Sequence, residues 1–97
     1  MPSRHDALQR ATLSAVLNGP GHTSATLRQS VARGDGPADL AGLVQRIRTE
    51  PSSVTDVDVD PLRGRYTEDQ LFELIVAAAV GAAHDRRTAA LLVLEGL

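Results

Sequence analysis

The sequence predicts an all-α domain of about five helices, and three observations carry that expectation. Apolar residues recur at helical spacing in several separate stretches. Capping residues, glycine and proline punctuate the boundaries between them. A chain of 97 residues that is 42% hydrophobic and 23% charged has the composition of one globular core and is too short for two. Residues 1–97 are therefore read as a single domain, with 1–36 as an N-terminal helical hairpin and 37–97 as the core helices.

Ser3, with Asp6 three residues on, resembles a capping box, and Ala7, Leu8, Ala11, Thr12, Ala15 and Val16 follow at helical spacing to about Asn18. Asn18-Gly19-Pro20-Gly21 must break that helix, because proline lacks an amide donor and glycine permits left-handed backbone. Thr23 or Ser24 is expected to cap a second, short helix that pairs Leu27 with Val31 and ends at Gly34. Pro37 fits the first turn of a third helix, whose stripe is Leu40, Leu43, Val44 and Ile47 and which stops before Pro51.

Val54 to Pro61 supports two readings: apolar and acidic residues alternate as in a strand, yet Thr55 with Asp58 reads as a helix cap. Short helical turns are expected, because Pro61 would fall inside any longer helix begun at Thr55. From Tyr66 the signals agree. Thr67 is the cap, Glu68 and Asp69 place negative charge on the first turn, Gln70 completes a capping box, and Tyr66 with Leu71 forms a hydrophobic staple. Leu71 to Ala83 has almost no polar face beyond Glu73, so burial nearly all round is expected. Thr67 to Glu95 as one helix would be about 43 Å long, against a compact diameter of about 30 Å for a chain of this size. It must bend, break or lean on another subunit, and continuity with a bend is preferred. A break at Asp85 would set Arg86 and Arg87 against the dipole of a new helix.

Composition excludes several functions. All ten basic residues are arginine, they are outnumbered by twelve acidic ones, and Tyr66 and Phe72 are the only aromatics, so neither a basic stripe nor a stacking platform for nucleic acid is expected. Without cysteine there is no disulfide, no thiolate metal site and no thiol redox cycle. The first six residues lack the apolar run of a signal peptide, and the longest uncharged apolar run, Leu74 to Ala83, is about half a bilayer span. A cytoplasmic protein with no membrane partner is expected.

Among chemistry-bearing groups, Asp56, Asp58 and Asp60 match the opening of a calcium loop. Pro61 stands where the loop needs glycine and Thr67 where it needs a bidentate glutamate, so a solvated acidic connector is favoured and no metal or cofactor is expected. Gly19-Pro20-Gly21-His22 has the look of a phosphate cradle, but no strand precedes it and no Gly-Lys-Ser/Thr follows, so it reads as a turn. His84 lies eleven residues after Glu73, on the same helix face but about 16 Å away. Within one chain they cannot pair; across an interface, His84 with Glu73 or Asp85 of another chain would make an acid–base pair, with Arg86 or Arg87 anchoring an anion such as a small carboxylate ligand.

Tyr66-Thr67-Glu68-Asp69-Gln70-Leu71-Phe72-Glu73-Leu74-Ile75-Val76 and the small-residue run Ala77 to Ala83 resemble the carboxymuconolactone decarboxylase family of the alkylhydroperoxidase D-like superfamily. Val54-Thr55-Asp56, Asp58-Val59 and Leu62-Arg63 are similar to the segment preceding that helix in small bacterial members, and Gly19-Pro20-Gly21 with Leu27-Arg28 also fits. The resemblance implies a helical hairpin fold that assembles into dimers, trimers or hexamers. The redox branch carries a CxxC motif and a histidine near the stretch from Thr49 to Asp56; neither is present, so peroxidase activity is not implied. Two readings follow. One is a non-redox, oligomeric helical binding or accessory protein, assembled with itself or with another protein through the Leu71 to Ala83 helix. The other is an acid–base enzyme of the lactone decarboxylase or isomerase type, with its pocket at a subunit interface.

Overall fold

The computed structural model describes residues 4–97, with side chains from Ala7 onward except Gln9. Ser3 and the capping box expected there, and the side chain of His5, lie outside the described residues. The described chain is all-helical, with five α-helices and no strand: α1 Arg4–Asn18, α2 Ala25–Ala32, α3 Ala41–Thr49, α4 Asp56–Val59 and α5 Glu68–Glu95. Two short 3₁₀ turns, Pro51–Ser53 and Asp60–Leu62, flank α4.

Local chemistry sets most boundaries. Ser24, and not Thr23, caps α2, its Oγ accepting from the Leu27 amide at 3.1 Å. Gly34, at φ 85°, turns the chain out of that helix as only glycine does without strain. Pro37 does not open α3. It begins a separate turn, in which the Leu40 amide donates to the Pro37 carbonyl at 3.0 Å, and α3 proper starts at Ala41. Thr55 and Asp58 form a complete capping box on α4, and Pro61 falls in the second 3₁₀ turn, where its missing donor costs nothing. The expected short helical turns between Val54 and Pro61 are thus present. At α5 the Gln70 amide donates to Thr67 Oγ1 at 3.1 Å and the Thr67 amide to Gln70 Oε1 at 2.9 Å.

The core lies between α2, α3 and α5. Val31, Leu40, Leu43, Val44 and Ile47 meet Leu62, Leu71, Leu74, Ala77 and Ala78 in one cluster, and burying each leucine contributes about 2 kcal/mol. α2 and α5 share the most extensive contact. Gly81 permits it: a Cβ there would stand 2.6 Å from Ala32 Cα and 2.7 Å from Ala32 C.

Helix α5 departs from expectation in two ways. Its buried residues, Leu71, Leu74, Ala77, Ala78, Gly81 and Ala82, form one face covered by this chain's own α2 and α3. Burial is therefore not all round: Phe72 is 69% exposed, and Ala79 and Ala83 are open to solvent. The helix also runs uninterrupted for 28 residues and reconciles its length with the domain by projecting from it. The molecule measures 47 × 28 × 19 Å, and every residue from Thr88 to Leu97 is exposed, including Leu91, Leu92, Val93 and Leu94. No helix among the described residues is long and apolar enough to cross a membrane.

Candidate functional site

Glu73 is the one titratable residue within the apolar run Leu71 to Ala83, and the structure gives it a structural task. The turn after α1 wraps its carboxylate: the His22 amide donates to Oε2 at 2.5 Å, and the Thr23 amide and hydroxyl donate to Oε1 at 3.1 and 2.9 Å. Glycine at position 21 leaves room for this carboxylate, since a Cβ there would stand 2.5 Å from Glu73 Oε1. The Gly19-Pro20-Gly21-His22 turn, which sequence likens to a phosphate cradle, does hold an anion, and that anion is the chain's own glutamate. The amide of His22 above all, and then the hydroxyl and amide of Thr23, hold Glu73 below its ordinary value of 4.5 against the opposing effect of burial. A carboxylate so held is a poor general base near neutral pH.

Arg28 completes this clasp. Its side chain is buried, with Nη1 donating to the Val16 carbonyl at 2.6 Å and Nη2 to the Gly19 carbonyl, while Nε lies 4.0 Å from Glu73 Oε1. Sequence reasoning did not single it out as a functional residue. The signal was its spacing: Arg28 stands three and four residues before Val31 and Ala32, on the face that the apolar pattern of α2 buries. A buried arginine there must find carbonyls or a carboxylate, and it finds both.

The other expected site residues are divided between two tasks. Asp85 pairs with Arg48 Nη2, and Arg48 Nη1 donates to the Ala32 carbonyl at 2.8 Å. Arg86 donates to the Arg48 carbonyl. These three residues lash the end of α3 to α5. His84, exposed, and Arg87, half-buried, instead border a cleft of about 290 Å³ between α1 and α5 whose walls are Leu8, Thr12, Leu13, Val80 and Ala83. Glu73 is not among its walls, so no acid–base pair assembles from His84 with Glu73 within the chain. A second cleft, of about 210 Å³, lies over Arg28 and Glu73 and is walled by Ala15, Val16, Phe72 and Val76.

The acidic connector is answered by arginines. Asp58 Oδ1 lies 3.1 Å from Arg46 Nε, and Arg63 stands 3.6 Å from Asp56, 3.4 Å from Asp60 and 3.4 Å from Glu68. Among the described residues, no group of three or more His, Asp or Glu side chains is placed to hold a metal ion. Tyr66, the staple residue, donates its hydroxyl to Asp39 Oδ2 at 3.0 Å; burial first, and then this carboxylate, raise its pKa above 10.0. Comparison with protein-family models, with curated proteins and with solved structures finds no match to this chain.

Proposed function

We propose that the chain is a non-redox, carboxymuconolactone decarboxylase-like helical protein that acts as a homo-oligomeric binding or accessory module. One observation carries the reading. Helix α5 leaves large apolar side chains uncovered, Phe72 near its start and Leu92, Val93 and Leu94 around its projecting end, each more than 60% exposed, and exposed apolar residues clustered on a small domain favour association. The deployment of charge supports it, since Glu73, Asp85 and Arg86 hold helices together and are not gathered around a cavity. Light scattering on the pure chain at micromolar concentration tests the proposal: a stable oligomer is expected, and a soluble, helical monomer overturns it.

A second reading is favoured by the cleft between α1 and α5. Its apolar walls with His84 and Arg87 at the rim suit a small carboxylate carrying an apolar body, which would support ligand binding or acid–base chemistry. Titrating benzoate while following the His84 imidazole by NMR tests it. Saturable shifts that Arg87→Gln weakens are expected, and unmoved signals at millimolar benzoate overturn it.

A further inference from the structure

The exposed side of α5 carries an apolar pattern of its own. Phe72, Val76, Ala79 and Ala83 follow one another at steps of four, three and four residues, and Arg86, Ala90 and Val93 continue the same alternation along α5, with Leu97 next in the series two residues past the helix. Seven of these eight positions are apolar. Seven are exposed and Val76 is half-buried. Alternating steps of three and four make the seam of a coiled coil, in which each side chain enters a gap between four residues of a facing helix. Among the described residues, α2 and α3 hold the opposite side through Leu74, Ala78 and Gly81, and α1 lies along one flank, where Ala83 borders the cleft with Leu8, Thr12 and Leu13, and Phe72 and Val76 border the one with Ala15 and Val16.

We infer that this seam packs against the same seam of a second copy, with the two α5 helices antiparallel about a two-fold axis near residues 84 and 85. The inference rests on the oligomeric reading above and specifies its geometry. Direction follows from the one charged position. Parallel pairing would stack Arg86 on its own counterpart within an apolar seam, whereas antiparallel pairing sets it against Ala83 of the other copy, whose small side chain leaves room. Its guanidinium is already turned aside to the Arg48 carbonyl. The same arrangement brings Phe72 opposite Leu97, Val76 opposite Val93 and Ala79 opposite Ala90, so bulky residues close the two ends and small ones let the helix centres approach. It also opposes the two helix dipoles. A seam spanning 72–97 is about 37 Å long and would bury roughly 600 Å² per partner, the lower bound for a specific interface; self-complementary matching of one patch with itself is what a two-fold dimer requires.

A chain without cysteine makes the test clean. In Ala79→Cys/Ala90→Cys the two thiols of one chain are about 16 Å apart along the helix, too far for a disulfide within the chain. Across the antiparallel pair they are neighbours. Under mild oxidation the double variant should run as a covalent dimer on non-reducing gels, while Ala79→Cys and Ala90→Cys alone should not. Ala90→Arg, a change at a position exposed within the chain, should halve the mass seen by light scattering with helicity unchanged. Cross-linking of Ala79→Cys alone overturns the antiparallel arrangement in favour of a parallel one. An oligomer that gives no cross-link with the double variant, or one that Ala90→Arg leaves intact, overturns the seam but not the oligomeric reading. A monomeric wild-type chain overturns both and leaves the face to a different polypeptide.

Discussion

Gly81→Ala separates helix propensity from helix packing at a single atom. In an exposed helix, alanine in place of glycine gains about 1 kcal/mol. At Gly81 the added methyl would meet the Ala32 carbonyl oxygen, with Ala32 Cα and C at 2.6 and 2.7 Å, where carbon atoms rest about 3.5 to 4.0 Å apart. The obstacle is backbone, so no rotamer change relieves it and α2 must withdraw by about 1 Å. Such a gap forfeits about a quarter to a half of each affected dispersion contact along the most extensive helix pair in the molecule, and it strains the Arg48 bond to the Ala32 carbonyl. Overpacking of this kind costs about 3 kcal/mol at the upper end of its usual range. The net loss of about 2 kcal/mol is a large share of the 5–15 kcal/mol typical of a domain and corresponds to a fall in Tm of about 10 °C. Gly42→Ala is the control: nothing lies within 4 Å of its added Cβ, so it should gain about 0.5 to 1 kcal/mol. Urea titrations at one fixed protomer concentration measure both. A Gly81→Ala midpoint equal to or above wild type would refute the close approach of α2 to α5.

Three further outcomes are expected. Thr67→Ala should cost about 1 kcal/mol by removing the acceptor of the Gln70 amide, and an unchanged urea midpoint would mean that α5 does not begin there. Because the Glu73 carboxylate is held below its ordinary 4.5, the stability it contributes is present above that pH and is lost as pH falls through the lower folded value. Glu73→Gln should accordingly be less stable at neutral pH and show a flatter acid limb; urea midpoints from pH 7 down to 3 check this, and parallel curves for the two proteins would count against the clasp. Tyr66, the single tyrosine in a chain without tryptophan, should ionise above 10.0 in an absorbance titration and move part of the way back in Asp39→Asn, since burial remains when the carboxylate is gone. A wild-type midpoint at or below 10.0 would remove the Asp39 bond from the folded state.

What the sequence disclosed about the fold was its short-range part. The caps Thr67 with Gln70 and Thr55 with Asp58 satisfy donors three residues away, so a local pattern suffices to find them. The start of α3 was displaced because its cause is remote: Asp39 is engaged by Tyr66 and by Arg65, residues more than twenty positions later, and this holds the chain in a turn that Pro37 alone does not specify. The burial of α5 was overstated for another reason. Alanine counts as apolar in a periodicity pattern, yet leaving its single methyl in water costs little, so Ala79, Ala83, Ala89 and Ala90 carry almost no information about which side faces the core. Gly81 does, since only a site of close approach justifies a glycine in mid-helix.

The candidate site shows the same division between near and far. Spacing along the helix correctly separated His84 from Glu73, but nothing local reveals that Glu73 answers to His22 and Thr23, fifty residues earlier, or that Asp85 answers to Arg48. Once those partners are assigned, the carboxylates that seemed available for catalysis are occupied in fastening α5 to the turn after α1 and to α3. Fastening of this kind matters for a helix that extends past its own bundle, because the roughly 20 Å of α5 beyond Ala82 transmits any load on its free end to the few contacts at its base. The clasp on Glu73 and the lash at Asp85 stand twelve residues apart on α5, near the two ends of the buried face from Leu71 to Ala82, and together they fix the helix's rotation about its axis. That rotation decides which residues face outward. Ionic contacts that hold one apolar face in a defined direction are what the proposed association requires.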